Sequence, residues 1–189
     1  MHLYDFAVIL SGRKRYNILD ADNDSKIRAE MEADFETKSL EYKLIDIERV
    51  KKFAAYLDAI DCFYTDRPVA YPPLKDFTDK DMDIIGPMEH ERWLWIHHIM
   101  GWKYDDQYTR FDKAQQPFIR EQTRTHKLML RDGDYSREKI VEHYDQLPQS
   151  EKDKDTEPMN KLSELLSMLD GVKFYKTKSD RNCETHTVI

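Results

Sequence analysis

Met88-Glu89-His90-Glu91-Arg92-Trp93-Leu94-Trp95-Ile96-His97-His98-Ile99-Met100-Gly101-Trp102-Lys103-Tyr104 holds all 3 tryptophans of the chain and three of its 7 histidines. Aromatic side chains bury large areas and present flat π faces, so such a cluster either anchors a core or stacks on a planar ligand. Proline lacks an amide hydrogen and has φ fixed near the helical value, so Pro87 is read as the first residue of a helix. Gly101 ends that helix, which therefore runs from Pro87 to Met100. Trp93 and Trp95 are about 200° apart around such a helix, so one packs inward while the other faces a cleft or a partner. Trp102 follows the terminating glycine, where the chain turns back on its core, and is read as structural.

Outward from this stretch the pattern is mostly helical. Met1 to Leu10 is apolar but too short to type by periodicity, and Asn17 to Ser25 reads as a loop, with Ser25 capping the helix that follows. On that helix Ile27, Met31 and Phe35 share one face. Leu44, Ile47, Val50, Phe53, Ala54, Leu57 and Ile60 recur at intervals of three and four and give the next helix, with Glu48, Arg49, Lys51 and Lys52 on its solvated side. Pro68, Pro72 and Pro73 mark an irregular connector and a boundary. Thr78 and the acids Asp79, Asp81 and Asp83 suit a helix amino terminus. Downstream, Arg131-Asp132-Gly133-Asp134 predicts a tight turn, with Lys127-Leu128-Met129-Leu130 before it as one strand of a hairpin. Pro148 closes a connection. Met159, Leu162, Leu165, Leu166 and Leu169 make an amphipathic helix ending at Gly171, and Val172 to Tyr175 predicts a short strand.

Glu89-His90-Glu91-Arg92-Trp93 followed by Gly101-Trp102-Lys103-Tyr104 resembles the first half of the ryanodine receptor (RyR) domain, in the variant carried by bacterial and phage proteins. The second half resembles Ile140-Val141-Glu142-His143-Tyr144-Asp145-Gln146-Leu147-Pro148, then Glu151-Lys152-Asp153-Lys154-Asp155 and the run to Leu169-Asp170-Gly171. The two blocks stand in the family's order and extend from near Asp79 to Tyr175. The resemblance implies an α+β, mostly α fold, in which an RyR-like domain of packed helices with short antiparallel strands follows a helical amino-terminal extension. The extension is residues 1–75, the domain 76–178 with a partly ordered insertion at about 105–139, and the flexible tail 179–189. It also requires that the helix from Pro87 and a helix from about Thr156 to Leu169 pack in one domain. Pro87 in mid-helix would defeat that fold assignment.

The resemblance further implies a ligand site. The tryptophan of the family's histidine-x-x-tryptophan motif stacks on an adenine ring in the vertebrate channels, which carries that role onto Trp93. His90, one turn earlier, would orient the base or ribose, and Arg92, Lys103 and Tyr104 would complete the site, with Arg120, Arg124 and Lys127 of the insertion as further cations. Two domain copies build the site in the channels and this chain shows one, which leaves its pocket either incomplete or completed by a second subunit in a homo-oligomer. The function expected is a non-catalytic module that senses an adenine nucleotide or nucleotide-derived signal in a regulatory role. The alternative is a protein–protein interaction and assembly module with no small-molecule ligand.

Composition narrows the other classes. A net charge of −7 over 189 residues argues against general nucleic-acid binding, leaving only local basic patches at Arg13-Lys14-Arg15 and Lys173 to Arg181. No apolar run approaches the roughly 18 residues of a membrane span, so no direct membrane insertion is expected. Cys62 and Cys183 form no paired motif and Met1 to Leu10 does not read as a secretory signal, which gives reduced thiols and a cytoplasmic location as the expectation. His90-Glu91 opens the zinc-protease pattern, but Leu94 stands where its second histidine belongs. His90 and His97 lie two turns apart, too far for one zinc ion, so no metal is expected. With 5 glycines, no phosphate loop around Ser11-Gly12-Arg13-Lys14 and no activated nucleophile, no catalytic residue or cofactor is assigned.

Overall fold

The computed structural model describes residues 3–12, 24–160 and 172–177, and the fold is α+β and mostly α. Arg13-Lys14-Arg15, most of the Asn17–Ser25 loop, the leucines from Leu162 to Leu169, Gly171 and the tail beyond residue 177 lie outside the described residues. The chain divides into two compact units, Met1–Ile85 with Thr156–Ile189 and Gly86–Asp155. This division differs from the expected 1–75 and 76–178, because the segment after residue 155 returns to the first unit.

The first unit is built on three helices, α1 (Leu3–Gly12), α2 (Asp24–Thr37) and α3 (Leu40–Ala59). In α1 the consecutive residues Phe6, Ala7, Val8, Ile9 and Leu10 are all buried, so the segment has no polar face to reveal its period. It packs on both α2 and α3, with Tyr4 edge-on to Phe35 and Phe6 against Phe53. Gly12 permits the close approach to α2, since a β-carbon there would lie 2.6 Å from Met31 Cγ. Met31 and Phe35 are buried as expected, but α2 begins at Asp24, which puts Ser25 inside the helix and not at its cap. In α3 the buried stripe is Asp46, Val50, Phe53, Tyr56 and Leu57, continued by Ile60, whereas Leu44 and Ala54 are exposed. The stripe is turned toward Asp46, whose carboxylate is satisfied by Lys38 Nζ at 3.0 Å.

Asp61, at φ 54°, turns the chain into β1 (Cys62–Thr65), which pairs antiparallel with β4 (Lys173–Lys176). The carboxy-terminal strand was expected; its partner was not. Phe63 stacks on Tyr175 across the ribbon, and the proline-rich connector is tied to it by Leu74 N–H donating to Phe174 O and Tyr71 Oη donating to Lys176 O.

Helix α4 (Asp79–Ile99) opens with a reciprocal cap: Thr78 Oγ1 accepts from Asp81 N–H, and Asp81 Oδ2 accepts from Thr78 N–H at 2.8 Å. Burial works to raise the Asp81 carboxyl, but the Thr78 hydrogen bonds and Lys176 Nζ at 3.1 Å outweigh it and hold the group below its ordinary value. Because this cap starts the helix at Asp79, Pro87 lies inside it, contrary to the expected start at Pro87. The condition the resemblance set for its fold assignment is therefore not met. An internal proline costs about 3 kcal/mol through one lost hydrogen bond and its ring contacts. Full burial of Ile85 before it and Leu94 after it offsets that cost.

The second unit takes α4 from Gly86 onward. Gly101, at φ 82°, ends the helix as expected: its N–H donates to His98 O, and Trp102 N–H reaches His97 O at 2.9 Å. Next come β2 (Lys103–Tyr104), a 3-10 turn (Gln107–Arg110), α5 (Gln116–Thr123), β3 (Thr125–His126), α6 (Arg137–Asp145) and α7 (Gln149–Asn160). The stretch expected to be a partly ordered insertion thus carries regular elements. The short pair β2–β3 is parallel, not antiparallel, because α5 carries the chain back between them. Lys127–Leu130 forms a turn and not a strand, and it buries Met129 beside Leu94, Trp102 and Ile140 in the core of this unit. Gly133, at φ 69°, follows a bend at Arg131 and Asp132, where the sequence predicts a tight turn. Pro148 precedes α7, which begins seven residues before the expected Thr156. Among the described residues no helix is long and apolar enough to cross a membrane.

Candidate functional site

Helical spacing places His90, Trp93 and His97 on one face of α4, and the histidines enclose the indole. The His90 ring lies nearly parallel to Trp93 at 6.1 Å, His97 sits at 4.2 Å and 31°, and His126 of β3 meets it edge-on at 5.0 Å. His97 Nδ1 donates to Trp93 O at 2.8 Å, which orients that imidazole. His126 Nδ1 accepts from Leu128 N–H, and burial, together with Arg120 and His97 nearby, depresses the imidazole to about 3. Trp93 is half-buried and Trp95, on the opposite side of α4, is 40% exposed, so the two tryptophans divide as their spacing requires. Trp102 is buried, as expected.

Of the other residues expected around Trp93, Arg120 and Lys127 lie near His126, which packs on the indole, whereas Arg92 and Tyr104 have partners elsewhere. Arg92 is 5% exposed, and its Nε and Nη2 grip Glu89 at 2.7 and 2.8 Å, so its charge is spent within the helix and not offered to a phosphate. Lys103 and Tyr104 are neighbours on β2, and successive strand side chains point to opposite faces. Lys103 is exposed, whereas Tyr104 Oη receives a hydrogen bond from Arg131, whose guanidinium lies 4.4 Å from the Tyr104 ring. Tyr104 therefore supports Arg131.

Arg131 belongs to a cleft of about 230 Å³, formed by Leu130, Arg131 and Asp132 before α6, by Lys139, Glu142 and His143 of α6, and by Gln146 just past its end. Lys139, Glu142 and His143 fall at i, i+3 and i+4 on one face of the helix, and Gln146, its carboxy-terminal cap in helical conformation, continues that face at i+7. Lys139 Nζ donates to Glu142 at 2.8 Å, which raises the lysine. His143 is fixed from behind. His90, 1% exposed, sets Nδ1 3.0 Å from Asp155 Oδ2 of α7 and Nε2 3.0 Å from His143 Nδ1. Burial and the neighbouring His90 depress the His143 imidazole to about 4.

Sequence reading placed His90 and Tyr104 in a site but missed the groups they hold, His143 and Arg131. A signal was present: His143 and Asp155 both lie in the second block of the resemblance, and they meet His90 of the first. Among the described residues no group of three or more His, Cys, Asp or Glu side chains is placed to hold a metal ion. Cys62 is buried. Comparison of the chain with family models, with curated proteins and with solved structures found no match.

Proposed function

We propose that the chain is a module that binds a small anionic ligand, an adenine nucleotide or nucleotide-derived signal, in a regulatory and non-catalytic role. One observation carries this reading: the cleft brings Arg131 and Lys139 beside His143, and its wall is braced by buried or bonded groups that lie outside it. Such bracing keeps a binding surface in one geometry before the ligand arrives, which lowers the entropy lost on binding. The cleft residues replace Arg92 and Lys103 as the cations for phosphate. Kinship with the ryanodine receptor domain remains a proposal supported by the meeting of its two blocks at His90, and opposed by Pro87 within α4. Stacking of adenine on the face of Trp93 that His97 covers at 4.2 Å would require His97 to leave.

A thermal-shift screen with ATP, ADP, ADP-ribose and cyclic nucleotides tests the reading. A ligand of the native state present at a hundred times its Kd adds about 2.7 kcal/mol and raises Tm accordingly. Replacing Arg131 by Ala should abolish the shift. No shift with any of these compounds would refute the nucleotide reading.

The interaction reading has an observation of its own. Trp95 and Ile99, 40% and 73% exposed on α4, continue through the Trp95–Tyr135 contact as an apolar surface. Its signature is a Tm that depends on protein concentration and not on nucleotide.

A further inference from the structure

Asp155, His90 and His143 form a hydrogen-bonded line from a buried carboxylate to the wall of the cleft, and with His90 neutral that line fixes which nitrogen of His143 carries a proton. A carboxylate only accepts, so His90 Nδ1 donates to Asp155 Oδ2 across 3.0 Å. In neutral His90 the other nitrogen, Nε2, is then an acceptor, and His143 Nδ1 must donate to it across 3.0 Å. The two rings are 28° from coplanar with centroids 5.2 Å apart, so they meet edge to edge and both the N–H and the lone pair can lie near the two ring planes. Trp93 and Tyr144 pack on His90 at 6.1 and 5.5 Å and hold its orientation. Neutral His143 is thereby left with its lone pair on Nε2, which has no hydrogen-bond partner among the described residues.

The groups facing His143 sort by hydrogen-bonding type. Asp132 of the preceding turn and Glu142 on its own helix only accept, while Arg131 and Lys139 only donate. From α4 the group against it is His90, with Asp155 of α7 behind. We propose that His143 Nε2 is a fixed acceptor for a ligand hydroxyl, and that the cleft takes a sugar phosphate, its hydroxyls donating to His143 and the carboxylates and its phosphate accepting from Arg131 and Lys139. The ribose phosphate of a nucleotide has this chemistry, so the inference rests on the ligand-binding reading of the same cleft and specifies which part of the ligand is recognised. His143 touches the ligand; His90 and Asp155 are positioning residues.

Diethyl pyrocarbonate, which acylates an unprotonated imidazole nitrogen, reads the lone pair directly when the full chain is digested and mapped by mass spectrometry. His143 should be modified at nearly equal rates at pH 7 and pH 5, whereas N-acetylhistidine in the same tube slows about twenty-five-fold as an ordinary imidazole protonates. Nitrogen-15 correlation spectra of the unmodified protein should show His143 protonated on Nδ1 and bare on Nε2. In Asp155→Asn the side-chain amide can donate to His90, which reverses the line and puts the proton on His143 Nε2, so modification should slow at least tenfold with the far-ultraviolet spectrum unchanged. If that variant does not fold, the nitrogen-15 spectrum of the native chain decides the tautomer. Ribose 5-phosphate should protect His143 from modification, and inorganic phosphate at the same concentration should protect it less. A His143 protonated on Nε2, unreactive at both pH values or following N-acetylhistidine overturns the proposal, and so does equal protection, or none, by the two phosphates. A failed nucleotide screen leaves these readouts intact, while a successful screen with an unreactive His143 keeps the ligand site and ends the acceptor assignment.

Discussion

Acidification should destabilise this protein through His126 over a window that the structure defines. The folded imidazole titrates at about 3 and the ordinary value is 6.5. The unfolded chain therefore takes up a proton first as pH falls. The contribution of His126 to stability is complete above pH 6.5 and is lost progressively between pH 6.5 and about 3. At pH 4.5, two units below the ordinary value, the nominal loss is about 2.7 kcal/mol. The ring is half-buried, so partial screening brings this to about 2 kcal/mol. His143, depressed to about 4, acts in the same direction, and carboxylates titrate over part of the same range, so the native chain alone cannot assign the loss. His126→Asn isolates it, because the asparagine Oδ1 stands where Nδ1 does and can accept from Leu128 N–H without titrating. Urea unfolding at pH 7, 5.5 and 4.5, followed by circular dichroism, should show the native chain losing about 2 kcal/mol more than the variant between the first and last conditions. Parallel pH dependences would refute the argument, since they would mean that His126 is protonated as readily folded as unfolded.

Trp102→Ala should cost about 3–5 kcal/mol, because it empties a site closed by Leu94, Met129 and Ile140, while Trp95→Ala on the exposed side of α4 should cost under about 1 kcal/mol; equal urea midpoints for the two would show the core misplaced. Trp93→Ala should lower stability by about 2 kcal/mol, since it removes the ring that His90, His97 and His126 pack against, and a variant as stable as the native chain would restore Trp93 as a free stacking surface. Glu89→Gln leaves Arg92 buried beside a neutral amide and should cost about 3 kcal/mol, whereas replacing both by leucine and methionine should cost much less; equal losses for the two variants would show that the pair is not the source.

What could be read from the chain depended on whether the deciding interaction was local. Gly101 ends α4 because a left-handed residue is needed just past the last apolar positions, Ile99 and Met100, and the sequence within one turn holds that information. Met31 and Phe35 declare their face by spacing alone. Pro87 failed as a helix start for an equally physical reason: the reciprocal Thr78–Asp81 cap offers an earlier start, and burial on both sides of the proline outweighs the one hydrogen bond it removes. The acids before Pro87 had been read correctly as a helix start, but the choice between one helix and two turns on tertiary burial.

The site divides in the same way. Arg92 reads as a phosphate ligand by its charge alone, but Glu89 stands three residues before it, and that local spacing allows the pair that the structure shows. The face Lys139, Glu142, His143 and Gln146 was also legible as i, i+3, i+4 and i+7 on a helix, yet nothing in that spacing says that a cleft lies over it. The line from Asp155 through His90 to His143 joins positions 65 and 53 residues apart, and no local pattern encodes such a contact. A lone histidine on a helix is ordinary. What sets His90 apart is that both of its ring nitrogens are committed in a site 1% exposed, so the one nitrogen of the line left without a hydrogen-bond partner among the described residues is Nε2 of His143, a residue of the cleft wall.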